Sequence, residues 1–224
     1  MAACGSVAAI ELLASGAANA SARDASASRI SVIGDSLTSG TLPYQPDALS
    51  TVGWEQATID SYVSRGIRSK VKADRHTGLT SIDAIRATAG DSDLWVVALG
   101  TNDAGIYSKE KHADLINMMM ERIGAGHYVM WVNVYLPGNK ARQQHWNSAL
   151  ETVAAGHQGE MFVLDWATLA AENRNWMLDD GIHCSAKGYM HRATAIASAT
   201  RSLIPPVAPS ATKPGRVWSQ IPTS

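Results

Sequence analysis

Ile30-Ser31-Val32-Ile33-Gly34-Asp35-Ser36-Leu37 is an apolar run that stops at a Gly-Asp-Ser turn. A short apolar run bounded by turn formers predicts a buried strand of an α/β sheet. Ser36 then stands at the carboxyl end of that strand, the edge where open α/β sheets hold ligands because the departing loops splay into a crevice. A serine hydroxyl is a weak nucleophile without a base. What this stretch does therefore depends on what the rest of the chain brings to the same edge.

A chain of 224 residues is long enough to bury one sizeable core without disulfides, so one main domain is expected. A net charge of -1 with 17% charged residues gives no basic stripe, which argues against nucleic acid or a membrane surface as the main partner. A neutral or small-molecule substrate fits better. Cys4 and Cys184 are far apart and do not predict a disulfide, and no Cys/His spacing suggests zinc. Neither a metal nor any other cofactor is implied, and composition does not specify an oligomeric state.

Residues 1–28 are rich in Ala, Ser and Gly and are expected to form a flexible or signal-like segment. Ala18-Asn19-Ala20 and Ala20-Ser21-Ala22 have the form of a signal-peptidase site, but the basic start of a signal peptide is missing. Met1-Ala2-Ala3-Cys4 resembles the end of a lipoprotein signal that lacks its apolar run, and a mis-assigned or engineered start would explain both half-signals. An exported protein is the reading adopted, with a cytoplasmic extension as the alternative. No stretch approaches the roughly 18 to 20 apolar residues of a membrane span.

Further along, Leu37 to Thr51 reads as an irregular loop because of Gly40, Pro43 and Pro46. Gly53 to Gly66 reads as a helix, Ile67 to Ala73 as a second strand, and a helix is expected from Thr80. Leu94 to Leu99 is the most apolar run and is taken as a central parallel strand, ending at Gly100-Thr101-Asn102-Asp103. Lys109 to Ile123, Ala141 to Ala155 and Ala186 to Leu203 read as helices, the last capped by Ser185. Tyr128 to Leu136 and Met161 to Leu164 complete five strands. Met118-Met119-Met120 is read as core packing. Repeated strand-helix order predicts a parallel sheet covered on both faces, here a domain over residues 29–204. Residues 205–224 hold five of the eight prolines and are expected to be a disordered tail, with Trp218 unattached.

Four turns recur at equivalent places: Gly34-Asp35-Ser36, Gly78, Gly100-Thr101-Asn102-Asp103 and Asp180-Gly181-Ile182-His183. Parallel strands gather their carboxyl ends, so these segments converge on one crevice. Asp180 and His183, three residues apart, can point the same way, with the carboxylate on one imidazole nitrogen and Ser36 on the other. Histidine, titrating near neutrality, suits the general base that takes the Ser36 proton and returns it to a leaving group. The Ser36 N–H, the Gly78 N–H and the Asn102 amide are the expected oxyanion donors. Asp35 and Asp103 are expected to brace their loops.

These blocks resemble the SGNH hydrolase family, also called GDSL esterases and lipases. The resemblance runs from about Arg29 to Leu203; the surroundings of Gly78 depart from the family's glycine-rich second block. It implies a flavodoxin-like three-layer α/β/α fold with a five-stranded parallel sheet and ester hydrolysis through an acyl-serine. Val71 to Thr80, Trp166 and Asp180 to Ser185 are also similar to SGNH domains of cell-wall O-acyltransferases. That points to short acyl groups, such as O-acetyl, on an acylated glycan. Acyl transfer to a glycan hydroxyl and a non-catalytic envelope-binding module are the alternatives.

Simpler readings stand beside these. Asp179 rivals Asp180, and His76 is either a cleft residue or a solvated one. His112, His127, His145, His157 and His191 lack a partner pattern. Cys184 is expected to pack away from the site, and Trp54, Trp131 and Trp166 to be core or cleft wall, with a sugar platform as the alternative.

Overall fold

The computed structural model describes residues 28–69 and 75–203, together with the backbone of 217–220. Six parallel strands form the sheet: β1 (Arg29–Gly34), β2 (Gln56–Ser61), β3 (Leu94–Ala98), β4 (Tyr128–Val132), β5 (Met161–Leu164) and β6 (Val217–Gln220). Their order across the sheet is β5-β4-β3-β1-β2-β6. Eight α-helices are described: α1 (Ser36–Thr41), α2 (Gln45–Val52), α3 (Gly78–Ala89), α4 (Asp103–Ile106), α5 (His112–Ile123), α6 (Lys140–Gly156), α7 (Trp166–Glu172) and α8 (Ala186–Thr200). The result is the expected three-layer α/β/α fold.

Alternation along the strands builds both cores. Ile30 and Val32 in β1, and Leu94, Val96 and Ala98 in β3, pack with Leu49 of α2, Ala170 of α7 and Ile196 of α8. Ile33, Trp95 and Val97 point to the opposite layer of α3, α5 and α6, where Ile82, Ile116, Met119 and Leu150 close the core. Met119 and Met120 are buried, as the packing reading required. Trp54, Trp131 and Trp166 are 1% exposed or less, so they are core and present no platform for a sugar.

Several boundaries differ from the sequence reading. Leu37 to Thr51 forms helices α1 and α2, because Asp35 caps the first and Pro46 occupies an early position of the second, where a missing N–H costs nothing. The helix expected over Gly53 to Gly66 is strand β2, with Gly53 the left-handed C-cap of α2 at φ 113°. Ala57 to Ser61 is buried on both faces, so the apolar spacing taken for helical belongs to a central strand. Ile67 to Ser69 lies in the connection to α3 and not in a strand. The remainder of that expected strand, through Ala73, lies outside the described residues. β4 ends at Val132, short of Leu136. The sheet also has a sixth strand at its edge, where Val217–Gln220 pairs with Gln56 to Ile59 in the segment expected to be a tail.

The order places the switch in direction at β1. The chain passes from β1 to β2 on one side and then returns to β3 on the other. A crevice opens at the carboxyl ends beside such a switch. The residues following β1 and β3 are Asp35-Ser36 and Gly100 to Asp103.

Candidate active site

Each residue of the Gly34-Asp35-Ser36 turn answers a local demand. A Cβ on Gly34 would stand 1.8 Å from Thr38 Oγ1, so only glycine lets α1 turn back this tightly. Asp35 is the N-cap of α1, its Oδ1 accepting the Leu37 N–H at 2.9 Å. Ser36 is the first helical residue, and its N–H has no acceptor among the described residues.

His183 reaches Ser36 from the loop before α8. Its Nε2 lies 3.0 Å from Ser36 Oγ, and its Nδ1 lies 2.7 Å from Asp180 Oδ2. The same carboxylate organises the turn, since Asp180 Oδ1 accepts the Ile182 and His183 N–H groups, each at 2.8 Å. These bonds explain the three-residue spacing and select Asp180 over the exposed Asp179. Gly181 makes the corner at φ 69°, and a Cβ there would approach Pro137 Cγ at 2.9 Å. Pairing with His183, then the Ile182 amide, lowers the Asp180 pKa below the usual carboxylate value. With Nδ1 donating to Asp180, Nε2 is left to accept the Ser36 proton. The His183 and Asp180 side chains are 40% and 49% exposed, so the site opens directly to solvent. Cys184, next to the imidazole, is buried and turned toward Met177 Sδ at 4.0 Å.

Asn102 follows β3 and joins the crevice. Its Nδ2 donates to the Arg65 carbonyl at 3.0 Å and to Asp35 Oδ2 at 3.2 Å. Both amide hydrogens are therefore engaged. Donation to a reacting oxygen requires release of one, and the bond to Asp35 is the longer. Gly100 lets Trp146 lie beneath this turn, because a Cβ there would stand 2.3 Å from the indole and its φ is 127°.

Gly78 does not join the site as expected. Its N–H donates to the Gly66 carbonyl at 3.0 Å, and a Cβ would meet Leu99 Cδ1 at 2.6 Å and the Ile67 Cα at 3.1 Å. It opens α3 against the core, so its amide is not available to an oxyanion. The backbone beside Asn102 is instead the Ser64-Arg65-Gly66 turn after β2. Ser64 is the non-glycine residue with positive φ, 59°, among those described. The Ser64 and Gly66 N–H groups have no acceptor there and are the candidates for a second backbone donor. The signal in the sequence for this turn is the end of strand β2 at Ser61.

Arg65 fixes that turn from within. It is 2% exposed and donates to Asp60 Oδ1 at 2.8 Å, the Asp60 carbonyl at 2.8 Å and the His76 carbonyl at 3.1 Å. His76 thus contributes its backbone to the scaffold. Sequence reasoning missed Arg65, because an arginine in a polar loop gives no sign of burial.

Two buried carboxyl groups lie under the crevice. Burial raises the Asp35 pKa, opposed first by the Leu37 amide and then by the charges of Arg192 and His183. Arg192 is itself buried, its guanidinium 4.8 Å from the Trp166 ring centroid. Asp103 Oδ1 accepts the Ile67 N–H at 3.0 Å, and burial pushes its pKa up to about 6. The folded state therefore binds this proton more tightly than the unfolded chain. Stability contributed by protonated Asp103 is complete below about pH 4 and is lost as pH rises through about 6. Asp103→Asn keeps the acceptor for Ile67 and removes the ionisation. Its stability relative to wild type is expected to improve by up to about 3 kcal/mol between pH 4 and pH 8, measured by urea unfolding. A difference that does not change with pH would contradict this assignment.

Residues 32–191 match the sequence profile of the GDSL-like lipase/acylhydrolase family. The chain belongs to that family. Among solved structures with the same fold is the catalytic domain of Streptococcus pneumoniae peptidoglycan O-acetyltransferase A with a methylsulfonyl adduct. It is 20% identical, with a TM-score of 0.60 over 79% of this chain and 94% of that one. An Enterococcus faecalis lipase/acylhydrolase is 18% identical, with a TM-score of 0.65 over 82% and 100%. A Clostridium thermocellum family 3 carbohydrate esterase is 14% identical, with a TM-score of 0.59 over 79% and 96%. No curated protein sequence matches the chain. Among the described residues of this GDSL-family chain, no helix is long and apolar enough to cross a membrane, and no cluster of three potential metal ligands occurs.

Proposed function

We propose that this GDSL-family chain is a serine ester hydrolase that removes short acyl groups, with O-acetyl groups on a carbohydrate as the favoured class. The observation that carries the reading is the relay from Ser36 Oγ to His183 Nε2 at 3.0 Å and from Nδ1 to Asp180 Oδ2 at 2.7 Å. In the proposed reaction His183 takes the Ser36 proton as Oγ bonds to the ester carbonyl carbon. Asp180 stabilises the resulting imidazolium. Charge on the carbonyl oxygen is met by the Ser36 N–H, the Asn102 amide and a donor from the Ser64–Gly66 turn. The C–O bond to the alcohol then breaks, and the alcohol leaves with the proton from His183. Water repeats the sequence on the acyl-serine and releases the acid.

The exposed His183 and Asp180 favour an acyl group carried on a bulky, polar alcohol. Two structural neighbours, described as a carbohydrate esterase and a peptidoglycan O-acetyltransferase, support a carbohydrate carrier. The second of these also keeps acyl transfer as the alternative, in which a sugar hydroxyl replaces water. A hydrogen-bonded relay speaks against a purely binding role. An exported or envelope-associated protein suits such a substrate. Incubation with an O-acetylated glycan and an unacetylated acceptor tests the reading. Free acetate is the expected product; acetylated acceptor without free acetate would favour transfer.

A further inference from the structure

A cavity of about 190 Å³ borders Asp180 and runs between the turns that follow β3 and β4. Thr101, Leu136, Asn139, Arg142, Asp180 and Ile182 line it. It is smaller than the roughly 300–1,000 Å³ of pockets that enclose a drug-sized ligand, so it suits one sugar-sized group. We propose that this cavity is a subsite for a carboxylate-bearing sugar on the alcohol side of the ester, recognised by Arg142. The proposal rests on the ester-hydrolase reading and names its substrate more closely.

Position decides which side of the ester the cavity serves. Asp180 lies beyond the His183 ring from Ser36, two hydrogen bonds and an imidazole away. A short acyl group held on Ser36 does not extend that far. The alcohol takes its proton from His183 on departure, so its carrier passes this flank.

Lining chemistry decides what the cavity accepts. Leu136 and Ile182 give apolar contact, while Thr101, Asn139 and Arg142 bring polar groups. Asn139 Oδ1 accepts the Arg142 N–H at 3.1 Å, which ties the start of α6 at this wall. Gly105 faces the guanidinium, since a Cβ there would be 3.3 Å from Arg142 Nη1. Arg142 has no ion-pair partner among the described residues. The other charge on the lining, Asp180, is committed to His183 and two backbone amides. The cation left for a ligand is therefore Arg142, whose planar fork matches a carboxylate.

The test compares two esters that differ only in one group, a monoacetylated methyl glucoside and the methyl glucuronide acetylated at the same position. Wild type is expected to favour the glucuronide in kcat/KM by about two- to fivefold, as for an exposed charge-assisted contact. Arg142→Gln is expected to bring the ratio to about one, and Arg142→Lys to keep part of it. Because the ratio is taken within one protein sample, loss of folded protein does not alter it. Equal rates on the two sugars in wild type, or an undiminished preference in Arg142→Gln, overturns the subsite. Wild type that hydrolyses neither sugar nor 4-nitrophenyl acetate overturns the hydrolase reading itself and the subsite with it.

Discussion

Ser36→Ala is expected to lower kcat/KM for 4-nitrophenyl acetate by roughly 10³-fold or more, because among the described residues no other group stands at the end of the His183 relay. Ser36 Oγ is 3.0 Å from Nε2, so loss of this atom removes the nucleophile and leaves the base without its proton source. Alanine at the first position of α1 keeps the helix and the Asp35 cap, since that cap bonds the Leu37 amide. The fall should therefore come with little change in thermal stability. Comparable rates in the two proteins would remove Ser36 from the reaction.

Arg65→Met is expected to have the largest effect on stability. The Arg65 and Asp60 side chains are 2% and 3% exposed and 2.8 Å apart. Removing one member leaves an uncompensated buried charge, which costs about 3–5 kcal/mol. For a domain of this size that lowers Tm by roughly 10 °C or more. Asp60→Asn with Arg65→Met should recover part of the loss, as no net charge then remains inside. Protein that still folds should also have a reduced kcat, because the Arg65 carbonyl holds the Asn102 amide at 3.0 Å. A Tm change below about 3 °C would show that the pair is not buried as described.

Strongly apolar runs were legible in the sequence. β3 and β5 are continuous hydrophobic stretches and β1 is apolar but for Arg29 and Ser31, so their positions followed directly. The Ser36, Asp180 and His183 placements followed too, since short spacing and strand ends constrain where such residues can point. The region from Leu37 to Thr77 was not legible. β2 contains Asp60 and Ser61, polar residues that are buried while Arg65 donates to Asp60 and Ser39 donates to Ser61. A strand whose buried carboxylate pairs with an arginine of the turn that follows it does not show its period in hydrophobicity. With β2 hidden, the turn that follows it beside Asn102 was hidden too, and Gly78 was the glycine legible in its place. The sixth strand was equally hidden, since a four-residue pairing at the edge of the sheet depends on β2 being there to receive it.

In the proposed reaction Ser36 carries the acyl group. Treating the full chain with a fluorophosphonate ester and measuring intact and peptide masses tests it most directly. One adduct per chain on the peptide containing Ser36, absent in Ser36→Ala and accompanied by loss of esterase activity, is the predicted result. An active protein whose Ser36 remains unmodified, or whose activity survives complete modification of Ser36, would contradict it.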